Sequence, residues 1–138
     1  MILRKILIKK NYGRNFSTFT KNLKNSINNR TNLGIEPEIL KYNEVEELLI
    51  ELKNPNEFEE VFLLDQFQNR ILPGVDDTSR LKANFLLDIV EDKTYSPLID
   101  KIEAINILGT MQGGYSIEAL VKLLSSDYAE YSANNLKK

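Results

Sequence analysis

The sequence predicts an all-α protein, a stack of antiparallel helical hairpins built from six or seven short helices. Three observations carry this. Apolar residues recur at the i, i+3, i+4, i+7 spacing of one helical face, as in Val45, Leu48, Leu49 and Leu52. No run alternates apolar and polar residues with period two over a useful length, so strands lack their signal. Proline, glycine, asparagine and aspartate interrupt the apolar runs with short connections that cannot span a helix length, and successive helices must therefore lie antiparallel. The pattern is that of a short solenoid, although no repeat of constant period is present.

The first helix is expected from Asn22, with Leu23, Ile27 and Arg30, ending at Gly34. Its Asn-rich polar face has weak propensity and needs packing to persist. Pro37 then breaks the chain. In "NEVEELLIELKNP", Asn43 is placed to cap a second helix and Glu46 to complete a capping box, with Asn54-Pro55 as the stop. Asn56 and Glu59 repeat that start signal for a third helix carrying Phe58, Val61, Phe62, Leu63, Leu64, Phe67 and Ile71. These exceed one face, so the third helix is expected to be central. Pro73-Gly74 marks a turn, and Asp76 or Asp77 can cap a fourth helix bearing Leu81, Phe85, Leu86, Ile89 and Val90. After the break "DKTYSP", Asp100 with Glu103 opens a fifth helix through Ile102, Ile105 and Leu108. Ser116 is placed to cap a sixth with Ile117, Leu120, Val121 and Leu124 on one face, and Tyr128 to Leu136 form a seventh with Ala129, Ala133 and Leu136 inward.

The 138 residues have room for one domain, and 42% hydrophobic with 28% charged residues is the composition of a soluble, regular body. No apolar run approaches the ~20 residues that a membrane span needs. The chain contains neither cysteine nor histidine. It therefore has no thiolate for an iron–sulfur cluster, none of the usual zinc ligands, and no Cys–His or Ser–His pair. No catalytic residue, cofactor or metal is expected, and the chain reads as a non-enzyme.

The formal charge of −2 hides a polarised sequence. Up to Ile35 there are eight Lys or Arg and no acid, whereas the remainder carries 10 basic and 20 acidic residues. In "MILRKILIKKNYGRNFSTF", Ile2, Leu3, Ile6 and Leu7 fall on one side of a helix with Arg4, Lys5 and Lys9 away from it. Basic amphipathic character, Ser and Thr, and missing acids are the composition of a mitochondrial transit peptide, here assigned to residues 1–20. "RNFS" resembles a matrix-processing pattern, which places the cut near Phe16 or Ser17, a mitochondrial matrix location for the chain, and the helical domain at 21–138. A solvated basic tail or a nucleic-acid-binding arm is the alternative. Once processed, the acidic body would repel a phosphate backbone, so no nucleic-acid partner is expected for it.

Two stretches stand out as candidate sites. In "AINILGTMQGGYSIEALVKLL", two apolar runs flank the polar insert Thr110, Met111, Gln112, Gly113, Gly114 and Tyr115. As a turn, Gly113 or Gly114 would supply a positive-φ helix C-cap, Ser116 would cap the next helix, and Met111 and Tyr115 would fill the gap beneath. As a docking element, the glycines would bare the backbone and offer it, the Gln112 amide and the Tyr115 hydroxyl to a partner. In "NRILPGVD", Asn69 and Arg70 could bridge the third and fourth helices, pair with Asp76, or contact a partner. The acidic residues Glu44, Glu46, Glu47 and Glu51 lie mostly off the apolar face and read as a solvated helix surface.

"GIEPEIL", "LKNP", "FLLD", "NRILPGVD", "KANFL" and "SPLIDKIEAINILGTMQGGY", in this order and spacing, resemble the N-terminal HEAT-like domain of aconitase B, the bacterial aconitate hydratase and methylisocitrate dehydratase. The resemblance spans roughly Asn22 to Leu136. It implies a HEAT-like helical module that packs against catalytic domains, helps shape access to the active site and takes part in subunit contacts. In the family the cluster cysteines and substrate-binding residues lie in later domains, so no catalytic residue carries over. The basic leader departs from a bacterial cytosolic enzyme, and the family's domain would continue into a further helix past Lys138. Two functions follow as expectations: a non-catalytic mitochondrial module that binds another protein, or a detached domain that acts in trans on an aconitate hydratase.

Overall fold

A computed structural model describes residues 17–74, 76–111 and 113–137; the leader up to Phe16, Val75, Gln112 and Lys138 lie outside the described residues. Among the described residues seven α-helices follow in order: α1 Thr18–Asn32, α2 Tyr42–Lys53, α3 Glu60–Asn69, α4 Asp77–Val90, α5 Lys101–Thr110, α6 Gly114–Leu123 and α7 Ala129–Leu136. Among the described residues there is no strand, only a single bridge between Ser96 and Ile99. The all-α stack of helical hairpins is the fold that the periodicity predicts.

The helix starts are set by side chains that accept the orphan N–H groups of the first turn. Asp76 Oδ1 accepts from Thr78 N–H at 3.0 Å, and Asp100 Oδ1 from Glu103 N–H at 2.8 Å. Both aspartates cap as expected. Ser17 caps α1, its Oγ accepting from Thr20 N–H at 3.1 Å. That helix therefore starts at Thr18, before the expected Asn22, and takes residues 17–20 into the folded body. α2 also starts early: its cap is Lys41, whose backbone N–H donates to Glu44 Oε1 at 2.9 Å, so Asn43 and Glu46 are not the capping pair. Asn56 does act as a cap, accepting from Phe58 N–H, but of a 3₁₀ turn, Glu57–Glu59, that precedes α3. Glu59 is buried rather than serving as a capping-box acid.

The core runs through α2 to α6, with Val45, Leu48, Leu52, Leu63, Phe67, Leu86, Ile105 and Leu108 wholly buried. The central helix is not α3, which packs chiefly against α2, whereas α4, α5 and α6 each pack against three other helices. α4 packs against α2, α5 and α6 and buries Phe85, Leu86, Ile89 and Val90, with Ala83 on the same stripe as Leu86 and Val90. α3 buries only Leu63, Gln66 and Phe67, while its Val61 is 85% exposed and Ile71 lies beyond its end. An excess of apolar residues signals a wide apolar stripe; it does not say how many neighbours arrive to cover it. Phe67 and Phe85 meet edge to face at 5.8 Å, joining the third and fourth helices.

Polar side chains lock the layers together. Ser96 Oγ in the α4–α5 loop donates to the Leu52 carbonyl at 2.6 Å, and Ser132 Oγ donates to the Leu120 carbonyl. α7 turns Ser132 and Asn135 fully inward, with Ala129, Ala133 and Leu136 only half-buried. Asn135 comes so close to α5 that a Cβ on Gly109 would lie 2.0 Å from its Oδ1, so glycine at 109 permits the α5–α7 approach.

Candidate functional site

The two stretches singled out by sequence come together. Gly113 has φ +117°, and a Cβ there would sit 2.2 Å from the backbone oxygen of Gly74. The insert after α5 is therefore packed backbone to backbone against the Pro73-Gly74 turn after α3. Only glycine allows both that dihedral and that approach. Ser79 Oγ donates to the Gly74 carbonyl at 2.9 Å and Ser116 Oγ to the Gly113 carbonyl at 3.1 Å, fixing each half of the contact.

This alters the expected turn chemistry. α5 ends on Met111 in an extended conformation, and the positive-φ glycine is the N-cap of α6 rather than a helix C-cap. Ser116 is buried inside α6 and does not cap it. A Cβ on Gly114 would meet open space, so of the glycine pair Gly113 alone is sterically required. Met111 and Tyr115 are half-buried against the core, as a turn filler should be, and Thr110 is exposed with its Oγ1 donating to the Ile107 carbonyl at 2.7 Å. Gln112, the side chain expected to face a partner, lies outside the described residues.

Thr110 and Met111 share a groove with Gln68, Asn69, Pro73 and Lys82. Lys82 is the functional candidate that sequence reasoning missed. It is 6% exposed, and burial pushes its pKa down to about 8. Its Nζ lies 5.2 Å from the centre of the Phe67 ring, and it forms no ion pair among the described residues. The signal was present: Lys82 follows Thr78 by four residues and precedes Phe85 and Leu86 by three and four, so it falls on the buried stripe of α4.

Asn69 and Arg70 separate. Asn69 Nδ2 donates to Asp65 Oδ1 at 2.7 Å, a bond within one helix, and Asn69 borders the groove. Arg70 ends α3, its carbonyl accepting from Leu40 N–H at 2.8 Å, while its buried Nε has no hydrogen-bond partner among the described residues. Neither pairs with Asp76, whose carboxylate is engaged in capping α4. Two hydrogen bonds from Thr78, backbone first, hold the Asp76 carboxyl below its ordinary pKa.

Beside the insert, α6 exposes Ile117 at 53% and Val121 at 51%, and its C-cap Leu124 is 41% exposed. The face expected inward (Ile117, Leu120, Val121, Leu124) is thus mostly outward. Ser116, Ala119, Leu120 and Leu123 are buried instead. Both stripes are apolar, so periodicity could not tell which one the neighbours cover. Ile117, Val121 and Leu124 recur at i, i+4, i+7 as a continuous apolar ridge.

In the acidic α2, Glu46 and Glu47 are exposed as expected. Glu51 is half-buried, and desolvation, then the nearby Glu59, raise its pKa. Among the described residues no group of three Asp or Glu is placed to hold a metal ion, and no helix is long and apolar enough to cross a membrane.

The profile described as "Aconitate B N-terminal domain" matches residues 22–138. The chain is similar to aconitate hydratase B of Pseudomonas aeruginosa, 46% identical over 112 residues, which is 80% of this chain and 13% of that protein. Its similarity to aconitate hydratase B of Escherichia coli is 47% over 91 residues, 66% of this chain and 10% of that protein. Against aconitate hydratase B of Helicobacter pylori it is 36% over 123 residues, covering 86% and 14%. The chain thus spans about one seventh or less of these relatives.

Proposed function

Since the chain belongs to the family of aconitate hydratase B N-terminal domains, we propose that it is a non-catalytic helical module that binds another protein through the α6 ridge and the adjoining insert. The observation that carries this is the ridge Ile117, Val121, Leu124: three large apolar side chains, each about half exposed or somewhat less, on one face of a helix whose opposite face is in the core. Apolar ridges of this kind gain most from being covered, since burying a Val, Leu or Ile side chain is worth ~1.5–3 kcal/mol. The half-buried Met111 and Tyr115 extend the apolar surface at one end. The absence of cysteine and histidine from the sequence supports a role without chemistry of its own.

A second reading is favoured by the 46% identity to part of an aconitate hydratase. In it, the covered surface is the catalytic portion of such an enzyme, and the chain acts on substrate access or cluster lifetime in trans. Calorimetric titration of the chain against an aconitate hydratase from the same cells tests both. Binding is expected, and Ile117→Asp with Val121→Asp, both at exposed positions, should weaken it at least ~10-fold, the loss of one or more interface anchors. An unchanged affinity would remove the ridge from the interface. A chain that binds yet leaves turnover and cluster lifetime unaltered would remove the second reading.

The acid-free, basic, amphipathic leader supports delivery to the mitochondrial matrix. Fusing residues 1–35 to a fluorescent reporter tests it; a cytosolic signal overturns it.

A further inference from the structure

The buried end of α1 holds an electrostatic problem. Glu59 is wholly buried, and its Oε1 accepts from the backbone N–H of Ser17 at 2.6 Å. Among the described residues its other oxygen, Oε2, has no hydrogen-bond partner and Glu59 forms no ion pair. Glu51 adds a second carboxylate close by, whose pKa is raised by burial and then by the charge of Glu59. Glu59 thus rests on one backbone nitrogen that brings a single proton and no charge, with a second acid nearby. A buried carboxylate with one oxygen unpaired is strongly penalised unless a cation completes it.

Ser17 is also where "RNFS" places one of the two expected cuts. Hydrolysis of the Phe16–Ser17 peptide bond by a leader peptidase sends the hydroxyl of water to the Phe16 carbonyl carbon and the proton to the Ser17 nitrogen. At neutral pH that nitrogen takes a further proton and becomes an ammonium, with three donors and a full positive charge, at the position where the amide now stands. A cut before Phe16 would leave the nitrogen of Ser17 an amide and carry the ammonium away from Glu59.

We propose that the processed chain begins at Ser17 and that its α-ammonium is seated on the buried Glu59 carboxylate, so that leader removal completes this end of the fold. The inference rests on the reading of residues 1–16 as a cleaved leader, and the two fail separately: the reporter tests delivery, whereas the seat is tested on purified protein. The buried apolar core lies within residues 23–123, so a chain starting at Ser17 retains all of it.

The experiment compares chains starting at Ser17, at Ser17 with an N-acetyl group, and at Phe16, alongside the full chain. The free Ser17 chain should have an unfolding constant at least ~10-fold smaller than the acetylated chain, the equivalent of one unit in the α-amine pKa. NMR titration of that amine should place it at least one unit above the ordinary ~7.7–8.0. Glu59→Gln should return the amine to its ordinary value and abolish the difference between free and acetylated chains. Should that variant not fold, the acetylated chain and the titration of the unsubstituted protein still decide. Equal stability of free and acetylated chains, an amine that titrates normally, or N-terminal sequencing of protein from its own cells that finds a start other than Ser17 would each overturn the proposal.

Discussion

Replacing Lys82 by methionine should stabilise the protein. Lys82 is 6% exposed, and burial lowers its pKa from 10.5 to about 8. A shift of this size corresponds to about 3 kcal/mol at 1.36 kcal/mol per unit, the penalty for keeping the ammonium charged inside the fold at neutral pH. Its placement over the Phe67 ring already returns part of the charge's solvation, worth ~1–2 kcal/mol. Methionine keeps the length and volume of the stem, adds no charge and loses only that ring contact, so the expected gain at pH 7 is about 1–3 kcal/mol. The sign can be checked by pH. Below pH 8 both folded and unfolded chains carry the proton and the penalty is complete. Between pH 8 and 10.5 the folded chain has lost it while the unfolded chain retains it, so wild-type stability climbs with pH, by at most ~1.4 kcal/mol per unit. Urea unfolding of both proteins at pH 7 and pH 9.5 should show the methionine variant ahead at pH 7 and the gap narrowing at pH 9.5. A methionine variant that is less stable at pH 7, or a gap that stays constant across this range, would show that Lys82 is not held charged at a penalty.

Two further outcomes are expected. Gly113→Ala places a Cβ 2.2 Å from the Gly74 oxygen at φ +117° and should destabilise by about 2–4 kcal/mol, whereas Gly114→Ala, facing open space, should be neutral or slightly stabilising; thermal melts of the pair separate these, and equal effects would refute the close-packing role. Asp76→Ala should lower the melting temperature by removing the cap of α4. Because the folded pKa of Asp76 lies below 3.8, the wild-type advantage should be present above that pH and disappear as pH falls through the folded value; an advantage that persists in acid would contradict the capping role.

Much of the fold was legible in the text because it is local. Asp76 and Asp100 announce their helices since a cap bonds to a backbone group two or three residues away. The Val45, Leu48, Leu52 stripe is buried as its spacing predicts. The candidate site was legible in part. Sequence marked the insert and the Pro73-Gly74 turn as unusual, but not that they are one site, nor that Lys82 lies beside them.

Spacing and cap chemistry, set by neighbours within a turn or so, were enough to make this chain helical, to place most of its helices and to break it into short antiparallel rods. Packing settled the rest: α4, α5 and α6 rather than α3 at the centre, the α6 face carrying Ile117 and Val121 turned outward, Glu59 drawn under Ser17, and Gly113 pressed on Gly74. Each of these depends on what a distant segment brings to the same place, and when two stripes of a helix are equally apolar, only the neighbours that arrive decide which one is buried.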